Sequence, residues 1–345
     1  MRVSNFNFDL PKELIAQSPA SPRDTARLLF VENNLKDLCI KDIPKLIHPG
    51  DVLVVNNTKV IPARLNGKKI NGTKIQVTLL KPSSSNAWRA LARPARKLKH
   101  GDRIFFHPDL YCDVIEKYVD GQITLTFPLT ESELISFLDF HGIMPLPPYI
   151  KRKKSGEKID LKNYQTMFAK NPGAIAAPTA GLHFTYDLIK KIEKAGAKIV
   201  PLTLHIGAGT FLSIKVDDTR DHKMHSEWGE ISSKTANLIN AAKKNNGRII
   251  SVGTTALRLL ESAKTEDGRI SPFSGETKIF ITPGYQFKVV DVLLTNFHLP
   301  CSTLFMLVSA FSGLDTMMSA YAHAISTKYR FYSYGDACWL ERTNN

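Results

Sequence analysis

Lys198–Phe211 reads KIVPLTLHIGAGTF. An apolar run ending in glycines is the pattern of a buried strand that stops at a tight turn, where the backbone can approach a ligand closely. Similar runs lie on either side: Asp51–Asn56 (DVLVVN), Ala174–Ala177, Arg248–Val252 and Val289–Asn296. Helical segments follow them. Thr185 caps Tyr186–Ala195, which Gly196 closes; Ser232 or Ser233 opens a helix that Gly247 ends. Gly253-Thr254-Thr255 precedes Ala256–Ala263, and Ser302-Thr303 starts Leu304–Phe311. A short helical piece is also expected over Pro11–Gln17. Strands alternating with helices predict an α/β fold with a mixed, largely parallel sheet and flanking helices.

Between about Ile61 and Tyr149 the texture changes. Short alternating or β-branched runs recur at Lys74–Leu80, Trp88–Leu91, Asp102–Phe106, Asp113–Tyr118 and Gln122–Phe127. Turn signals such as Asn71-Gly72 and Asp120-Gly121 separate them, so an antiparallel sandwich or small barrel is expected. A short helix, Glu131–Phe140, leads to the proline-stiffened MPLPPYI and the basic run Lys151–Lys154.

The chain has 345 residues, enough for two domains. Lys plus Arg number 46 and Asp plus Glu 32, a formal net charge of +14 that favours a polyanionic partner. Cys39, Cys112, Cys301 and Cys338 are too scattered for a zinc knuckle, a C-x-x-C redox pair or a secreted disulfide framework. The N-terminal MRVSNFNFDLPKEL lacks the apolar core of a signal peptide, and no apolar run is long enough to span a bilayer. A cytoplasmic protein without a membrane partner is expected.

Polar groups at the C-terminal ends of parallel strands converge on a ligand crevice. Here those ends carry Thr179 and His183, His205 and Thr210, Thr254 and Thr255, and Asn296 and His298. HIGAGTF (His205–Phe211) brings Gly207 and Gly209 to that edge, but Leu212 breaks G-x-G-x-x-G, which argues against a nicotinamide site. The loop does suit an S-adenosylmethionine methyltransferase. DHKMHSE (Asp221–Glu227) packs Asp221, His222, His225 and Glu227 into seven residues, a pattern suited to proton transfer. A metal site is conceivable there from the spacing of His222 and His225, but H-E-x-x-H is absent. RALARPARKLKHGDR (Arg89–Arg103) offers Arg93, Arg96 and Lys97 to phosphates.

Ten segments, in order from Phe8 to Leu340, together resemble one family, the S-adenosylmethionine:tRNA ribosyltransferase-isomerases of queuosine biosynthesis. They are FDLPKELIAQSPASPRDTARLL, GDVLVVNNTKVIPARL, RALARPARKLKHGD, MPLPPYI, YQTMFAKNPGAIAAPTAGLHFT, LHIGAGTF, DHKMHSE, SVGTTALRLLES, PGYQFKVVDVLLTNFHLPCSTLFMLVSAFSG and YRFYSYGDACWL. The resemblance implies a discontinuous α/β catalytic domain, residues 1–60 with 150–345, and an inserted small antiparallel β-barrel, residues 61–149. It implies transfer of the ribosyl part of S-adenosylmethionine to 7-aminomethyl-7-deazaguanine at the tRNA wobble position. The ribose is isomerised to give epoxyqueuosine-tRNA, and adenine and methionine are released. The donor is consumed as a substrate, and no metal or other cofactor is implied; a monomer is expected. Such chemistry needs a base at the ribose C5′ carbon, which the sulfonium acidifies, and an acid for departing adenine. On the motif positions, His205, His225 or Glu227 supplies the base, and His183 or Asp221 assists proton transfer. Thr179, Gly207, Gly209, Thr210, Thr254, Arg258, Asn296 and His298 are the candidates for substrate binding, and Arg93, Arg96 and Lys97 for tRNA. An S-adenosylmethionine-dependent RNA methyltransferase is the alternative enzyme; a basic RNA-binding protein is the alternative without catalysis.

Overall fold

The computed structural model describes residues 1–32, 34–118, 121–153, 156–207, 209, 214 and 216–343. It comprises two compact units. The larger contains Met1–Thr58, Gln165–Asn171 and Ala177–Asn345; the smaller contains Lys59–Tyr164 and Pro172–Ala176.

In chain order, β1 (Arg27–Val31), β2 (Leu35–Cys39) and β3 (Val52–Asn56) come first. β4 (Thr58–Val60) follows and later pairs with β11 in a two-stranded sheet. The barrel strands are β5 (Arg64–Lys69), β6 (Lys74–Ser84), β7 (Ala87–Arg93), β8 (Arg103–His107), β9 (Leu110–Lys117) and β10 (Gln122–Thr126). After them come α1 (Glu131–His141), α2 (Ile159–Asn163) and β11 (Asn171–Ala174). The chain then runs through α3 (Tyr186–Lys194), β12 (Lys198–Leu204), β13 (Glu227–Ile231), α4 (Ser233–Lys244), β14 (Ile249–Val252) and α5 (Thr254–Ser262). Last are β15 (Phe273–Thr277), β16 (Val292–Asn296), α6 (Thr303–Ser312), α7 (Leu314–Ser326) and β17 (Ala337–Glu341).

The larger unit holds a nine-stranded mixed sheet in the order β15-β13-β12-β3-β14-β16-β17-β1-β2. Its centre, β12-β3-β14-β16, is parallel throughout. Antiparallel neighbours flank this block, β13 on one side and β17 on the other, and parallel pairing resumes beyond it between β17 and β1. Every residue of β3, β14 and β16 is buried, as expected for strands covered on both faces. Asp51 fixes the entry to β3: its buried carboxylate takes Arg248 at 2.7 Å and the His48 N–H at 2.8 Å. The expected caps form, with the hydroxyls of Thr185, Ser232 and Ser302 accepting from Leu188, Thr235 and Phe305. Gly253, at φ +91°, turns the chain from β14 into α5.

Two expected elements change. Ala174–Ala177 is no strand of the large sheet: the strand is Asn171–Ala174, its partner is β4, and PTAGLH that follows forms a 3-10 turn over Thr179–His183. Pro11–Gln17 holds only a 3-10 turn, Lys12–Leu14. The next residues are drawn into extended pairing with Phe331, whose carbonyl accepts from Ala16, and this removes them from a helix.

In the smaller unit the six strands close as an antiparallel barrel, β10-β7-β6-β5-β8-β9. Alternate residues point inward, among them Leu65, Val77, Ala90, Ile104, Val114 and Ile123. Leu134 and Leu138 of α1 join that core, and Thr130 and Glu133 form its capping box. Gly67 is required at its place, since a Cβ there would lie 2.6 Å from the Phe106 ring. Arg93, Arg96 and Lys97 are exposed around the end of β7. Among the described residues no single helix is long and apolar enough to cross a membrane; α6 and α7 are bent by 114° at their junction.

Candidate active site

The parallel strands leave a row of polar groups at their C-terminal ends, all in the larger unit. Asn56 closes β3 and acts as a side-chain extension of the ladder. Its amide donates to the Leu204 carbonyl at 2.9 Å, and its Oδ1 accepts from Leu204 and Thr58, each at 3.1 Å. This aims the buried Thr58 hydroxyl at His205, 2.8 Å from Nδ1. The Asn171 carbonyl lies 3.5 Å from the same hydroxyl. When Thr58 donates to that carbonyl, its oxygen accepts the Nδ1–H, and the imidazole keeps its lone pair on Nε2. The His205 ring stacks on Trp228 at 5.2 Å and 19°. Burial pushes His205 below the ordinary histidine value, which keeps it neutral at pH 7.

Beside it is a buried ion pair. Glu227, the first residue of β13, meets Arg258 of α5, and both are more than nine-tenths buried. Arg258 Nη1 donates to Glu227 Oε2, and the Gly207 N–H donates to Oε1 at 3.1 Å. The carboxylate thus anchors the first glycine of the loop after β12. Gly209 lies against His225: a Cβ there would sit 2.7 Å from the imidazole. A larger residue there would have to push the His225 ring aside.

At the ends of β14 and β16 the groups are sealed. His298 Nε2 lies 3.1 Å from the Thr295 hydroxyl, and its backbone N–H donates to the Tyr321 hydroxyl at 2.9 Å. Burial pushes its imidazole down to about 3. Asn296 donates to the Tyr332 carbonyl at 3.0 Å. His183 closes the 3-10 turn, where burial, partly opposed by Asp336, pushes it down to about 4. It lines a small cavity with Pro19, Ala20, Arg23, Leu182, Ser333 and Tyr334. Among the described residues, His183 Nε2, Asn296 Oδ1, Thr255 Oγ1 and Arg258 Nη2 are buried without a hydrogen-bond partner. Orphaned buried polar atoms are rare in folded proteins and each calls for a partner, such as an ordered water or a ligand; others lie away from this edge, at Trp88 of the barrel and Ser309 of α6.

The predicted residues therefore form two groups along one edge. His205, Gly207, Gly209, His225, Glu227 and Arg258 gather around β12 and β13. His183, Asn296 and His298 gather around β16, with Thr254 buried at the start of α5 and Thr179 half-buried at the start of the 3-10 turn. Asp221 and His225 are exposed. Thr210 lies outside the described residues. Arg93, Arg96 and Lys97 belong to the barrel unit. Among the described residues no three His, Cys, Asp or Glu side chains gather as a metal site. Asn56, Thr58 and Trp228 were not singled out from sequence. NNT directly after DVLVV was the available sign for the first two, being polar residues at a parallel strand's C-terminal end.

Comparison with known proteins gives one answer. The family described as queuosine biosynthesis protein matches residues 3–340. A protein of Afipia carboxidovorans named S-adenosylmethionine:tRNA ribosyltransferase-isomerase is 56% identical, over 99% of this chain and 98% of its own length. A protein of the same name from Methylocella silvestris is 54% identical over 99% and 98%. The crystal structure of S-adenosylmethionine tRNA ribosyltransferase from Thermotoga maritima superposes with a TM-score of 0.56 at 32% identity, covering 97% of this chain and 99% of that one. This chain belongs to the queuosine biosynthesis protein family.

Proposed function

We propose that this enzyme moves the ribosyl group of S-adenosylmethionine onto 7-aminomethyl-7-deazaguanine in the wobble position of tRNA and isomerises it, giving epoxyqueuosine-tRNA with release of adenine and methionine. The observation that carries the reading is identity above one half, end to end, with proteins bearing that activity in their names. The methyltransferase alternative has no support among these relatives.

The residues divide the work by environment. His205 is the C5′ base: it is neutral, its Nδ1 is held by Thr58, and Nε2 is left to take the proton. Glu227 is a positioning residue, because both its oxygens already hold donors from Gly207 and Arg258. The Gly207 N–H is used in the same contact, so donor binding falls to other groups of the edge, including Arg258 Nη2, Thr255 and Asn296 Oδ1. His183 and His298, kept neutral by burial, have no spare proton to give at pH 7 and serve as hydrogen-bonding groups. The exposed His225 beside Gly209 is the candidate to protonate departing adenine. Asp221, exposed on its turn, is assigned to the surrounding field rather than to the transfer. Arg93, Arg96 and Lys97 grip tRNA phosphates from the barrel. The donor is consumed, no metal takes part, and the enzyme works as a monomer in the cytoplasm.

The test is direct. The protein is incubated with S-adenosylmethionine and tRNA carrying the deazaguanine precursor, and free adenine and the mass of the wobble nucleoside are measured. Adenine plus methionine supports the reading; S-adenosylhomocysteine refutes it.

A further inference from the structure

The outer wall of the barrel carries a row of side chains that the reaction scheme above leaves unused. Residues directly opposite one another in antiparallel strands point to the same face. Lys74 of β6 is opposite Lys68 of β5, Lys68 is opposite Phe105 of β8, and Phe105 is opposite Tyr111 of β9. Their sequence neighbours Ile75, Ile104 and Cys112 belong to the barrel core, so this row faces outward. At the usual strand spacing it spans about 14 Å along the sheet. Arg93 of β7 shares the face, because it is opposite Gln76, two residues along β6 from Lys74.

The row is costly to keep. Like charges directly opposite each other destabilise a ladder, yet the exposed Lys68 and Lys74 form no ion pair among the described residues. Other cations of the barrel are neutralised: Asp102 holds Lys69 at 2.7 Å, and Asp113 takes Arg103 at 2.7 and 2.9 Å. Phe105 is 40% exposed, leaning on Tyr111 at 6.2 Å and 48° rather than lying flat against it. Tyr111 is held in turn by the Arg103 guanidinium, 4.0 Å from its ring centroid. A lone exposed phenylalanine is ordinary; one propped beside an unneutralised lysine pair calls for a reason.

We propose that this face is a contact for an unpaired stretch of the RNA substrate: Lys68, Lys74 and Arg93 neutralise backbone phosphates, and Phe105 stacks a base, with Tyr111 and Arg103 as its support. Cationic side chains give affinity for phosphate without sequence choice. An aromatic ring adds the π-face of a base that is not already stacked within a helix. The combination favours a loop of RNA over a paired stem, and the net charge of +14 has the matching sign. Arg103 is no phosphate ligand here; its bidentate bond to Asp113 neutralises it, and its part is to fix Tyr111. The contact belongs to the barrel unit and rests on tRNA being the substrate, not on the steps proposed for the ribosyl group.

Binding measured without the donor tests it. Fluorescence anisotropy is followed over a range of salt with a labelled tRNA transcript and with a fully paired RNA duplex. Lys68→Ala combined with Lys74→Ala should weaken both RNAs by roughly tenfold and lower the slope of log affinity against log salt by about one to two. Removing the opposed charges should not lower the melting temperature, which separates lost contact from lost fold. Phe105→Ala should weaken the tRNA by roughly tenfold while the duplex and the salt slope stay in place, and Phe105→Tyr should restore most of the loss. The contact is overturned if the lysine pair leaves tRNA affinity and its salt slope unchanged, or if Phe105→Ala weakens the duplex as much as the tRNA. It is equally overturned if Phe105→Ala dissociates a self-associated protein in light scattering and leaves RNA affinity in place. A wild-type protein that binds tRNA through this face but releases no adenine would instead remove the transfer reaction and leave the contact standing.

Discussion

His205 and His298 occupy matching places, each just beyond the C-terminal end of a central parallel strand, and their surroundings give them different chemistry. His298 is fully enclosed, its Nε2 beside Thr295 and its backbone bonded to Tyr321 within a cluster of Phe297, Phe305, Phe331 and Tyr321 rings. His205 has one nitrogen held by a threonine and one ring face covered by a half-exposed tryptophan. The topology nominates both; solvent access separates them, His205 being part-exposed and His298 buried.

The largest expected effect breaks this contrast most directly. His205→Gln should lower turnover by about a thousandfold or more, within the usual reach of acid–base catalysis, while donor binding persists. His298→Gln should cost less than about tenfold. Adenine release under saturating donor measures both, and equal losses would erase the distinction. Next is Arg258→Ala, which leaves the Glu227 carboxylate buried without its partner and should destabilise the fold by about 3–5 kcal/mol in urea unfolding. Adding Glu227→Leu should recover most of that loss, because the uncompensated charge is then gone. Thr58→Val should reduce turnover by about tenfold through a misoriented imidazole, and Thr58→Ser should retain it. An unaffected valine variant would show that His205 is oriented by Trp228 alone.

A further expected effect is a dependence of stability on pH. His183 and His298 titrate near 6.5 in the unfolded chain and at about 4 and about 3 in the folded one. Below pH 6.5 the unfolded chain therefore binds protons that the native protein refuses. Their contribution is complete above pH 6.5 and is lost as pH falls through 6.5 toward about 4 and then about 3. Urea midpoints should fall between about pH 7.5 and pH 5, and the fall should be shallower for His298→Gln.

The parallel core was readable because its signal is local. DVLVVN, KIVPLTL and DVLLTN are apolar runs with polar stops, and Thr185, Ser232 and Ser302 announce the helices that follow. The barrel's short strands were readable by texture, apart from β5, whose RLNGKK alternates weakly around an interior glycine. The sheet's flanks were not readable. β13 reads EWGEI and β17 follows a tyrosine-rich turn, and each is a strand only because a distant neighbour pairs with it. The site followed the same rule. Single histidines at strand ends were visible, but the Asn56-Thr58-His205 chain depends on β3 pairing with β12 across more than a hundred residues. Likewise, nothing in EWGEI indicates that its tryptophan stacks on an imidazole from another strand.

β17 has one consequence for how the molecule is made. It is the last strand in the chain, yet it lies inside the sheet, between β16 and β1, with Leu28 aligned to Ala337. Until β17 is in place, β1 and β16 each present an unsatisfied edge, the kind that invites association with another chain. The barrel strands, whose partners are close in sequence, can pair long before that. The sheet is thus complete only once the strand that joins its two portions is inserted, and a chain truncated just short of Ala337 should aggregate rather than fold.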